Sequence, residues 1–513
     1  MYMNKSEDKT PELERLDAID QFIRQGQTRQ ARLLLTTITK KTLPRDHLAR
    51  VANYCRRSGM TDHSLKLLGK IIRSDKKIPV PPNAFEKAEY AAALAYLGAS
   101  AEALALLASI KTETFPDARL FEAFAYIVEW DYKNALVKLE QYLASTSLSD
   151  YQRLVGNVNY AAALVHFEDG KKATPLLNEL LEKTRKENNT LLQNHILCLM
   201  IQNSYQIGKI DLAQTFCAEA LQGVAQNQGS ANLLVRQWKA IISLKLNPKK
   251  TREIEALNDL REEAFQGKEW EIARNCDYQL AILTQSKSLF EHLYYGSPSE
   301  SYRARLVRQY TKVMKGDFPP QDYTFVIANP ANKAPRQSVS IDSRTGENTC
   351  SAGFLKPQQL PQKLLLALCR DFYRPQNYGA LFAQLFPKSY FNPYSSVNLL
   401  DQLMHRLRNW FKTNKIPLGI QTDKGFNKLQ CVGNSEIKIG LKTLQTEEIL
   451  NPLLKKQIEE LKRHFGKNAF SSNEAAKKLK ISERSTRRLL KNGCDRNLAK
   501  KIGSGKLTQF SVF

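Results

Sequence analysis

The sequence has few of the features that mark a membrane-bound, secreted or metal-dependent protein. It contains no run of about eighteen apolar residues, the length that a membrane-spanning helix needs. Its beginning, MYMNKSEDKTPELERLD, is charged and has no apolar centre, unlike a secretory signal. Its eight cysteines are scattered without a CxxC pair, which favours reduced buried thiols over disulfides or a zinc site. We therefore predict a cytoplasmic protein without a membrane partner.

Catalytic motifs are also missing from the sequence. No P-loop, GxSxG or HExxH pattern is present, and the seven histidines are dispersed. His405 lies beside arginines in a helical stretch, where a polar contact is a better explanation than catalysis. We therefore expect no enzymatic activity, no cofactor and no metal site.

Acidic residues are scarce relative to basic ones, most of all in the last third of the chain. The net charge is +25; residues 338–433 hold 12 lysines and arginines against 5 acidic residues, and residues 434–513 hold 18 against 8. Basic charge concentrated in a compact region is typical of proteins that bind a polyanion. A generally basic composition would have spread the excess more evenly. The charge pattern therefore favours a nucleic acid partner.

A helical repeat occupies residues 12 to about 295. In each unit a helix ends near a glycine, a short turn follows, and a second helix places a small residue five positions after the glycine, a spacing that one unit, at Gly170, keeps only loosely. Small residues let two helices approach closely, so that each helix pair can bury its apolar face on the next. The turn markers lie 33, 39, 32, 40 and 38 residues apart. The matching pairs are Gly26 with Ala31, Gly59 with Ser64, Gly98 with Ala103, Trp130 with Ala135, Gly170 with Ala173, and Gly208 with Ala213.

This pattern resembles the tetratricopeptide family, although that family repeats about every 34 residues. The resemblance implies that residues 1–295 form an α-solenoid. Its concave face would bind a peptide or protein partner, or the solenoid would mediate self-association into a homo-oligomer. Residues 230–295 are expected to form a further helix pair or a cap. Amides on first helices could hydrogen-bond a peptide backbone, or be solvated surface. These amides are Asn157, Asn159, Gln193, Asn194, Gln202 and Asn203.

Residues 296–337 differ in composition from the repeats. A basic helical stretch is followed by closely spaced prolines, in GDFPPQDYTFVIANPANKAPRQ. We predict an interdomain linker in which Tyr323 to Ala328 adds a short strand to the following sheet.

Residues 338–433 contain a collinear set of strand and helix signals. Ser338 to Asp342 and Glu347 to Ser351 are predicted strands, and helices are predicted from about Pro361 to Phe372 and from about Tyr378 to Phe386. A longer helix and a hairpin follow. This order resembles the winged-helix domain of OmpR/PhoB-type response regulators. The matching stretches are SIDSRTGENTC, LPQKLLLALCRDF, NYGALFAQLFP, LMHRLRNWF and IQTDKGFNKL.

The longer helix, residues 395–412, has an apolar stripe and a polar face. Such a helix can be an ordinary surface helix, but its neighbours favour a recognition helix that enters the major groove. The hairpin after it has Gly425 in its turn and would touch the DNA backbone. The predicted DNA-binding residues of this module are Asn398, Asp401, Gln402, His405, Arg406, Arg408, Asn409, Lys412, Thr422, Lys424 and Lys428.

A second helix-turn-helix is predicted in residues 452–513, after a linker at 434–451. Ser471 and Glu474 have capping-box spacing, and Ser482 is suited to begin the next helix. A glycine-bearing hairpin closes the segment, which resembles the small winged helix of DeoR-like bacterial regulators. A structural winged helix that contacts proteins is the alternative. Its predicted DNA-binding residues are Arg484, Thr486, Arg487, Arg488, Lys491, Lys501 and Lys506.

Together these features predict a mainly α protein, with a tetratricopeptide-like α-solenoid followed by two small α+β winged-helix domains. The function that fits is a sequence-specific transcription regulator that binds double-stranded DNA. The alternative is a non-enzymatic adaptor whose winged helices dock proteins. Binding to duplex DNA without sequence preference would distinguish the adaptor.

Overall fold

The chain is mainly helical, with a small α+β region towards its C-terminus. The computed structural model describes residues 11–512 apart from 25–26, 40–42, 74–79, 188, 225–229, 248–250, 315, 321, 329–336, 357, 424, 443–451, 467, 480, 495–497 and 504–507. Within the described residues there are 23 helices and three sheets of three strands each. The chain divides into two compact units, Met1–Leu441 and Lys442–Phe513.

Seventeen helices precede the first described strand, and consecutive helices pack on each other as a repeating array. Their bounds are α1 Pro11–Arg24, α2 Thr28–Ile38, α3 Arg45–Arg57, α4 Thr61–Ile72, α5 Ala84–Tyr96, α6 Ser100–Leu107, α7 Asp117–Val128, α8 Tyr132–Leu143, α9 Asp150–His166, α10 Gly170–Lys186, α11 Thr190–Gln206, α12 Ile210–Val224, α13 Ser230–Leu246, α14 Thr251–Gly267, α15 Trp270–Leu283, α16 Lys287–Gly296 and α17 Glu300–Val313. The predicted helical repeat is thus present.

The small residues of the repeat lie where the helices approach most closely. All six predicted positions are fully buried, with no solvent-accessible surface on any side chain. A larger side chain at these points would push the two helices of a pair apart. The residues are Ala31, Ser64, Ala103, Ala135, Ala173 and Ala213.

A left-handed residue makes the turn inside most repeat units. Gly59, Gly98 and Gly208 have φ angles of 75°, 76° and 79°, a region that glycine enters without strain. Other units place a residue with a side chain there, with φ between 51° and 66°. Gly170 does not take this position, because it begins α10 and Glu168 has the positive φ. The non-glycine residues at these turns are Trp130, Glu168, Lys268 and Gln285; Gly26 lies outside the described residues.

Residues 230–295 continue the array with four helices, α13 to α16. Trp238, Ile241 and Ile242 on α13 are buried in a core shared with α9 to α12. Lys268 precedes the fully buried Ala273 by five positions. This spacing is the repeat signature, which the sequence pattern did not reveal because a lysine replaces the glycine.

A three-stranded sheet follows α17. Its strands are β1 Asp322–Ala328, β2 Gln337–Asp342 and β6 Ser435–Lys442, in the order β1-β6-β2. The β1 strand was predicted. The β6 strand was not, since residues 434–451 were expected to be a linker; β6 pairs in parallel with β2, with Val339 opposite Ile437. Both of these apolar residues are buried, so the strand is held by its inward face.

The second predicted strand, Glu347 to Ser351, is not formed. A single isolated bridge joins Asn348 to Ile341. The Asn348 side chain explains the difference, because its oxygen accepts hydrogen bonds from the backbone N–H groups of Cys350 and Ser351 at 3.0 and 2.9 Å. These bonds close a turn in place of a strand ladder.

The remaining elements of the first unit follow the predicted order. They are α18 Leu360–Leu368, β3 Gln376–Asn377, α19 Tyr378–Leu385, α20 Ser395–Thr413, β4 Leu418–Asp423 and β5 Phe426–Cys431. β4 and β5 form an antiparallel hairpin, and β3 pairs with β5, giving the order β3-β5-β4. Three helices therefore pack beside a small sheet that ends in a hairpin.

The core of this α+β region is continuous with that of the repeat helices. Buried residues of α5 and α6 share one apolar cluster with those of α18 to α20. Two glycines permit the contact: a Cβ on Gly379 would lie 2.6 Å from the carbonyl oxygen of Leu97, and one on Gly98 would lie 2.8 Å from Cβ of Ala380. The repeat helices and residues 338–441 are therefore packed as one body, although a linker was expected between them.

The second unit has its own small core. Its elements are α21 Pro452–Phe465, β7 Phe470–Ser471, α22 Ser472–Leu479, α23 Glu483–Cys494, β8 Ala499–Ile502 and β9 Gln509–Val512, with the sheet in the order β7-β9-β8. Leu461, Phe470 and Leu490 are fully or almost fully buried at its centre. The helices and the hairpin agree with the predicted elements within a few residues.

Candidate nucleic-acid interface

Helix α20 is amphipathic because its apolar residues recur at intervals of three and four. Leu400, Met404 and Leu407 have no exposed surface and pack against α18 and α19. The Asn392 side chain accepts hydrogen bonds from the backbone N–H groups of Tyr394 and Ser395 at 2.9 and 3.2 Å, which supports the helix start. Helix α20 is therefore anchored along one side.

The opposite side of α20 is exposed and polar. It combines amides, an imidazole and cations, which are the groups that can pair with base edges and phosphates. The predicted residues on it that are exposed are Asn398, Asp401, Gln402, His405, Arg406, Asn409 and Lys412. The structure thus brings seven of the eight predicted residues of this helix to one surface.

Arg408, the eighth, is turned towards the hairpin. Its guanidinium donates to the backbone carbonyl of Ile420 at 3.0 Å and to the Thr422 hydroxyl at 3.2 Å. Thr422 in turn donates to the Asn427 side chain at 2.8 Å. These bonds fix the angle between α20 and the β4–β5 hairpin. Arg408 and Thr422 therefore hold the hairpin in position relative to α20.

Asp401 has a partner within the same module. The Tyr378 hydroxyl donates to its carboxylate at 2.7 Å. Burial raises the pKa of Tyr378, and the Asp401 charge raises it further, so the tyrosine stays protonated and keeps donating. Asp401 places a negative charge in the middle of the polar face, where it would repel phosphate and could accept a hydrogen bond from a cytosine amine.

The hairpin tip lies against the repeat array. The Lys268 ammonium, at the turn between α14 and α15, forms an ion pair with Asp423 at the end of β4. Lys428 on β5 is exposed, whereas Lys424 is outside the described residues. Close to the hairpin turn, the fully buried Asn427 donates to the Gln376 carbonyl at 3.3 Å and so ties the hairpin to β3.

Capping hydrogen bonds define the helix-turn-helix of the second unit. The backbone N–H of Ser471 donates to the Glu474 carboxylate at 2.7 Å, and the N–H of Glu474 donates to the Ser471 hydroxyl at 3.2 Å. The N–H of Ser485 donates to the Ser482 hydroxyl at 3.2 Å. The predicted capping box and helix start are both confirmed.

The basic residues of the second unit lie mainly on α23. Arg484, Arg487, Lys491 and, on β8, Lys501 are exposed. Arg487 forms an ion pair with Glu483 at 2.7 Å. Thr486 is fully buried and donates to the Ser482 carbonyl at 3.1 Å, so it supports the helix from inside. The Arg488 side chain and Lys506 lie outside what the structure describes.

The sequence pattern missed a polar cluster between the repeats and the α+β region. The Arg274 guanidinium on α15 donates to both Asp371 carboxylate oxygens at 2.9 Å, and the Tyr373 hydroxyl donates to Asp277 at 2.6 Å. Burial by itself lowers the pKa of Arg274, but the carboxylates of Glu271 and Asp371 outweigh it, and the pKa is raised. No local signal marks these pairs, because their members are about a hundred positions apart.

The six amides predicted to bind a peptide divide into two groups. Asn203 is buried and donates to the Thr174 hydroxyl at 2.8 Å, Asn159 donates to the Val155 carbonyl at 2.8 Å, and Asn194 packs against Gly223. The contacts of Asn203 and Asn194 join neighbouring helices, and that of Asn159 stays within its own helix. Half-buried amides make up the second group, namely Asn157, Gln193 and Gln202.

The described part of the chain contains neither a membrane-spanning helix nor a cluster of metal ligands. No described helix combines the length and apolarity that crossing a membrane requires. Among the same residues, no group of three or more His, Cys, Asp or Glu side chains is placed to hold a metal ion.

Comparisons with known proteins return only distant structural similarity. No family model and no curated protein matches the chain. Similar solved structures include a Rap protein complexed with Competence and Sporulation Factor (12% identity, TM-score 0.41, 58% of this chain and 88% of that one). NprR in complex with its cognate peptide NprX is another (15%, TM-score 0.37, 59% and 98%). A third is aspartyl phosphate phosphatase F from Bacillus subtilis (11%, TM-score 0.33, 58% and 90%).

Proposed function

We propose that the chain is a transcription regulator that binds double-stranded DNA in a sequence-specific manner. The observation that carries this proposal is the exposed face of α20, which presents Gln402, His405 and Arg406 side by side while Leu403 and Leu407 anchor the helix from behind. Directional side chains on a rigid helix are suited to base edges in the major groove.

In this proposal residues 338–433 act as a winged helix of the OmpR/PhoB type. Helix α20 enters the major groove, and the β4–β5 hairpin lies over the adjacent backbone, where Lys428 contacts phosphate. Arg408 sets the hairpin at a fixed angle through its bonds to Ile420 and Thr422. Because this angle is fixed beforehand, the helix and the hairpin can contact DNA together without losing further conformational entropy on binding.

The second unit would act as a further winged helix that adds affinity. Its exposed lysine and arginine side chains on α23 and β8 would bind DNA phosphates whatever the base sequence. Because few of its exposed side chains are directional amides, it contributes less to the choice of sequence. The two modules would therefore have different roles: α20 would determine sequence selectivity, and α23 would contribute salt-dependent affinity.

The repeat array would bind a peptide or protein partner or join two copies of the chain. Half-buried amides on α9 and α11 provide hydrogen bonds for a peptide backbone, and the repeat helices share a core with α18 to α20. A partner bound to the repeats would thus act on a body that includes the DNA-binding helix.

Two observations favour the adaptor alternative, in which the winged helices dock proteins. Asp401 lies within the polar face of α20, and the hairpin tip is ion-paired with Lys268 of the repeats. A negative charge on this face suits a protein surface better than a phosphate backbone. The adaptor would bind DNA only weakly and without sequence preference.

Selection of bound duplexes from a random pool tests the proposal. The full chain is incubated with the pool at physiological salt, where non-specific binding is weak, and bound DNA is amplified and reselected. A common motif that the Gln402→Ala, Arg406→Ala double variant fails to enrich supports a regulator. A pool that stays random through successive rounds would instead identify the adaptor.

A further inference from the structure

A cleft of about 740 Å³ lies within the first unit, between the repeats and the α+β region. The turn after α7 and helix α15 supply one wall, and the segment from Arg370 to Pro387 supplies the other. Its volume falls in the range of small-ligand sites, about 300–1,000 Å³. A molecule bound there would touch a repeat helix and the helix-turn-helix module at once.

Two guanidinium groups extend into the cleft from the loop after α18. Arg370 is exposed and Arg374 is half-buried, and both line the cleft. Neither forms a salt bridge with a carboxylate of the described residues, unlike the neighbouring Arg274. They are therefore available to a carboxylate that a ligand brings.

A carboxylate faces the same space from α15. The Glu271 side chain is 52% accessible and lies 3.9 Å from a guanidinium nitrogen of Arg274. Partial desolvation in the cleft raises the pKa of Glu271, while the guanidinium groups of Arg274 and Arg374 oppose the rise. A ligand ammonium beside Glu271 would compensate its charge.

Arg274 itself has an unused donor. Its side chain is only 3% exposed and its guanidinium lies 4.6 Å from the Trp130 ring centre. Two nitrogens are directed to Asp371 and Glu271, but Nε has no hydrogen-bond partner among the described residues. A buried donor without a partner is unfavourable, but this nitrogen has almost no accessible surface, so Arg274 contributes to the cleft through its charge and not through this donor.

The lining as a whole fits a ligand that carries both charges. Amides of Gln376 and Gln384, 3.2 Å apart, provide neutral polar contacts, and Trp130 provides an aromatic surface. A purely anionic ligand would meet several carboxylates, and a purely cationic one would meet three guanidinium groups. The charged lining residues are Glu129, Asp131, Glu271, Glu300, Asp371, Arg274, Arg370 and Arg374.

We infer that this cleft binds a short zwitterionic peptide with free termini. Its ammonium lies beside Glu271, and its carboxylate is held by Arg370 and Arg374. The inference rests on the proposed peptide partner of the repeats and places it at the junction with the helix-turn-helix module. It does not depend on DNA binding.

The test uses the full chain and random tetrapeptides in four forms: free termini, N-acetylated, C-amidated and blocked at both ends. Native mass spectrometry measures which peptides bind, and calorimetry then measures the affinity of the best free peptide and its blocked forms. We expect each blocked end to weaken binding about 30-fold or more, because a charged side chain of the cleft loses its ionic partner on the ligand.

Variants assign each terminus to its side chain. Glu271→Gln should weaken binding of the free peptide but leave the affinity of its N-acetylated form unchanged. Arg370→Gln with Arg374→Gln should likewise weaken binding of the free peptide but leave the affinity of its C-amidated form unchanged. Arg308→Gln, at an exposed arginine outside the cleft, is the matched control. Arg274 is left intact because it is needed for folding.

Two results would overturn the inference. If free and blocked peptides bind equally, or if none binds, the cleft does not recognise a zwitterion. If free peptides bind but all cleft variants behave like Arg308→Gln, the repeats bind a peptide elsewhere; the proposed partner then stands and the proposed site does not.

Discussion

Arg274 and Asp371 are 97 positions apart in the sequence, and one guanidinium nitrogen of Arg274 lies 2.9 Å from both carboxylate oxygens of Asp371. The side chains are 3% and 5% exposed. Asp371 also accepts hydrogen bonds from the backbone N–H groups of Tyr373 and Arg374, at 2.9 Å each. The pair therefore holds the loop after α18 against the repeat helix α15.

Asp371→Asn should lower the free energy of unfolding of the first unit by about 3–5 kcal/mol, because it leaves the Arg274 charge buried without its main partner. The matched control is Glu263→Gln, which breaks the exposed pair with Arg236, where about 1 kcal/mol or less is expected. All four tryptophans lie in the first unit, so urea unfolding followed by their fluorescence measures the change. Equal losses in both variants would contradict this role for the pair.

Ala213→Glu should destabilise the repeat array by about 3 kcal/mol, because it buries an unpaired charge between two helices. Ala218→Glu, on the same helix but exposed, should change stability little. Thermal unfolding by circular dichroism compares the two. A stable, helical Ala213→Glu variant would mean that the small residues do not determine helix packing.

DNA binding should weaken steeply as salt increases. If six to ten phosphates are contacted, the logarithm of the association constant should fall with the logarithm of the salt concentration with a slope of about −5 to −9. Fluorescence anisotropy of a labelled duplex measures it. A slope near zero would rule out phosphate contacts as the source of affinity.

Replacement of Gln402 and Arg406 by alanine should relax the base preference, at about 1–3 kcal/mol for each base edge that a side chain no longer reaches. Competition between a selected duplex and a scrambled one measures the preference. Lys412→Ala, on the same exposed face but at the end of α20, should weaken both duplexes alike. A double variant that retains full selectivity would place base recognition elsewhere.

Arg487→Ala with Arg488→Ala should weaken binding to selected and random duplexes by the same factor. It should also flatten the salt dependence by about one unit for each phosphate that is no longer neutralised. The same competition assay, repeated at several salt concentrations, gives both quantities. If this variant loses selectivity while the Gln402 and Arg406 variant keeps it, the proposed roles of the two units are reversed.

Local sequence was sufficient to predict most of the elements. Helix α20 was expected at residues 395–412 and spans Ser395–Thr413, because its apolar period is strong and the Asn392 side chain accepts hydrogen bonds from the backbone at its start. The buried small residues of the repeat were also predictable, since a tight helix pair admits little else. In both cases the determining interactions join residues close in sequence.

Two features could not be read from local sequence. Glu168, Lys268 and Gln285 occupy left-handed turns that glycine would mark, because the packing of the helices on either side compensates for their strain. Strand β6 was taken for a linker, since only its pairing with β2, about a hundred positions earlier, makes it a strand.

The sequence by itself thus determined the helices, the hairpins and the exposed polar face of α20, through periodicity, capping and turn residues that act over a few positions. Only the tertiary structure decided that the repeats and the α+β region form one body, and that Glu271, Arg274 and Arg374 line one cleft. The physical reason is that the contacts responsible join distant segments. The close approach at Gly98 and Gly379 joins segments more than two hundred residues apart, and the buried Arg274–Asp371 pair joins segments nearly a hundred residues apart. Such contacts leave no periodic trace in either segment.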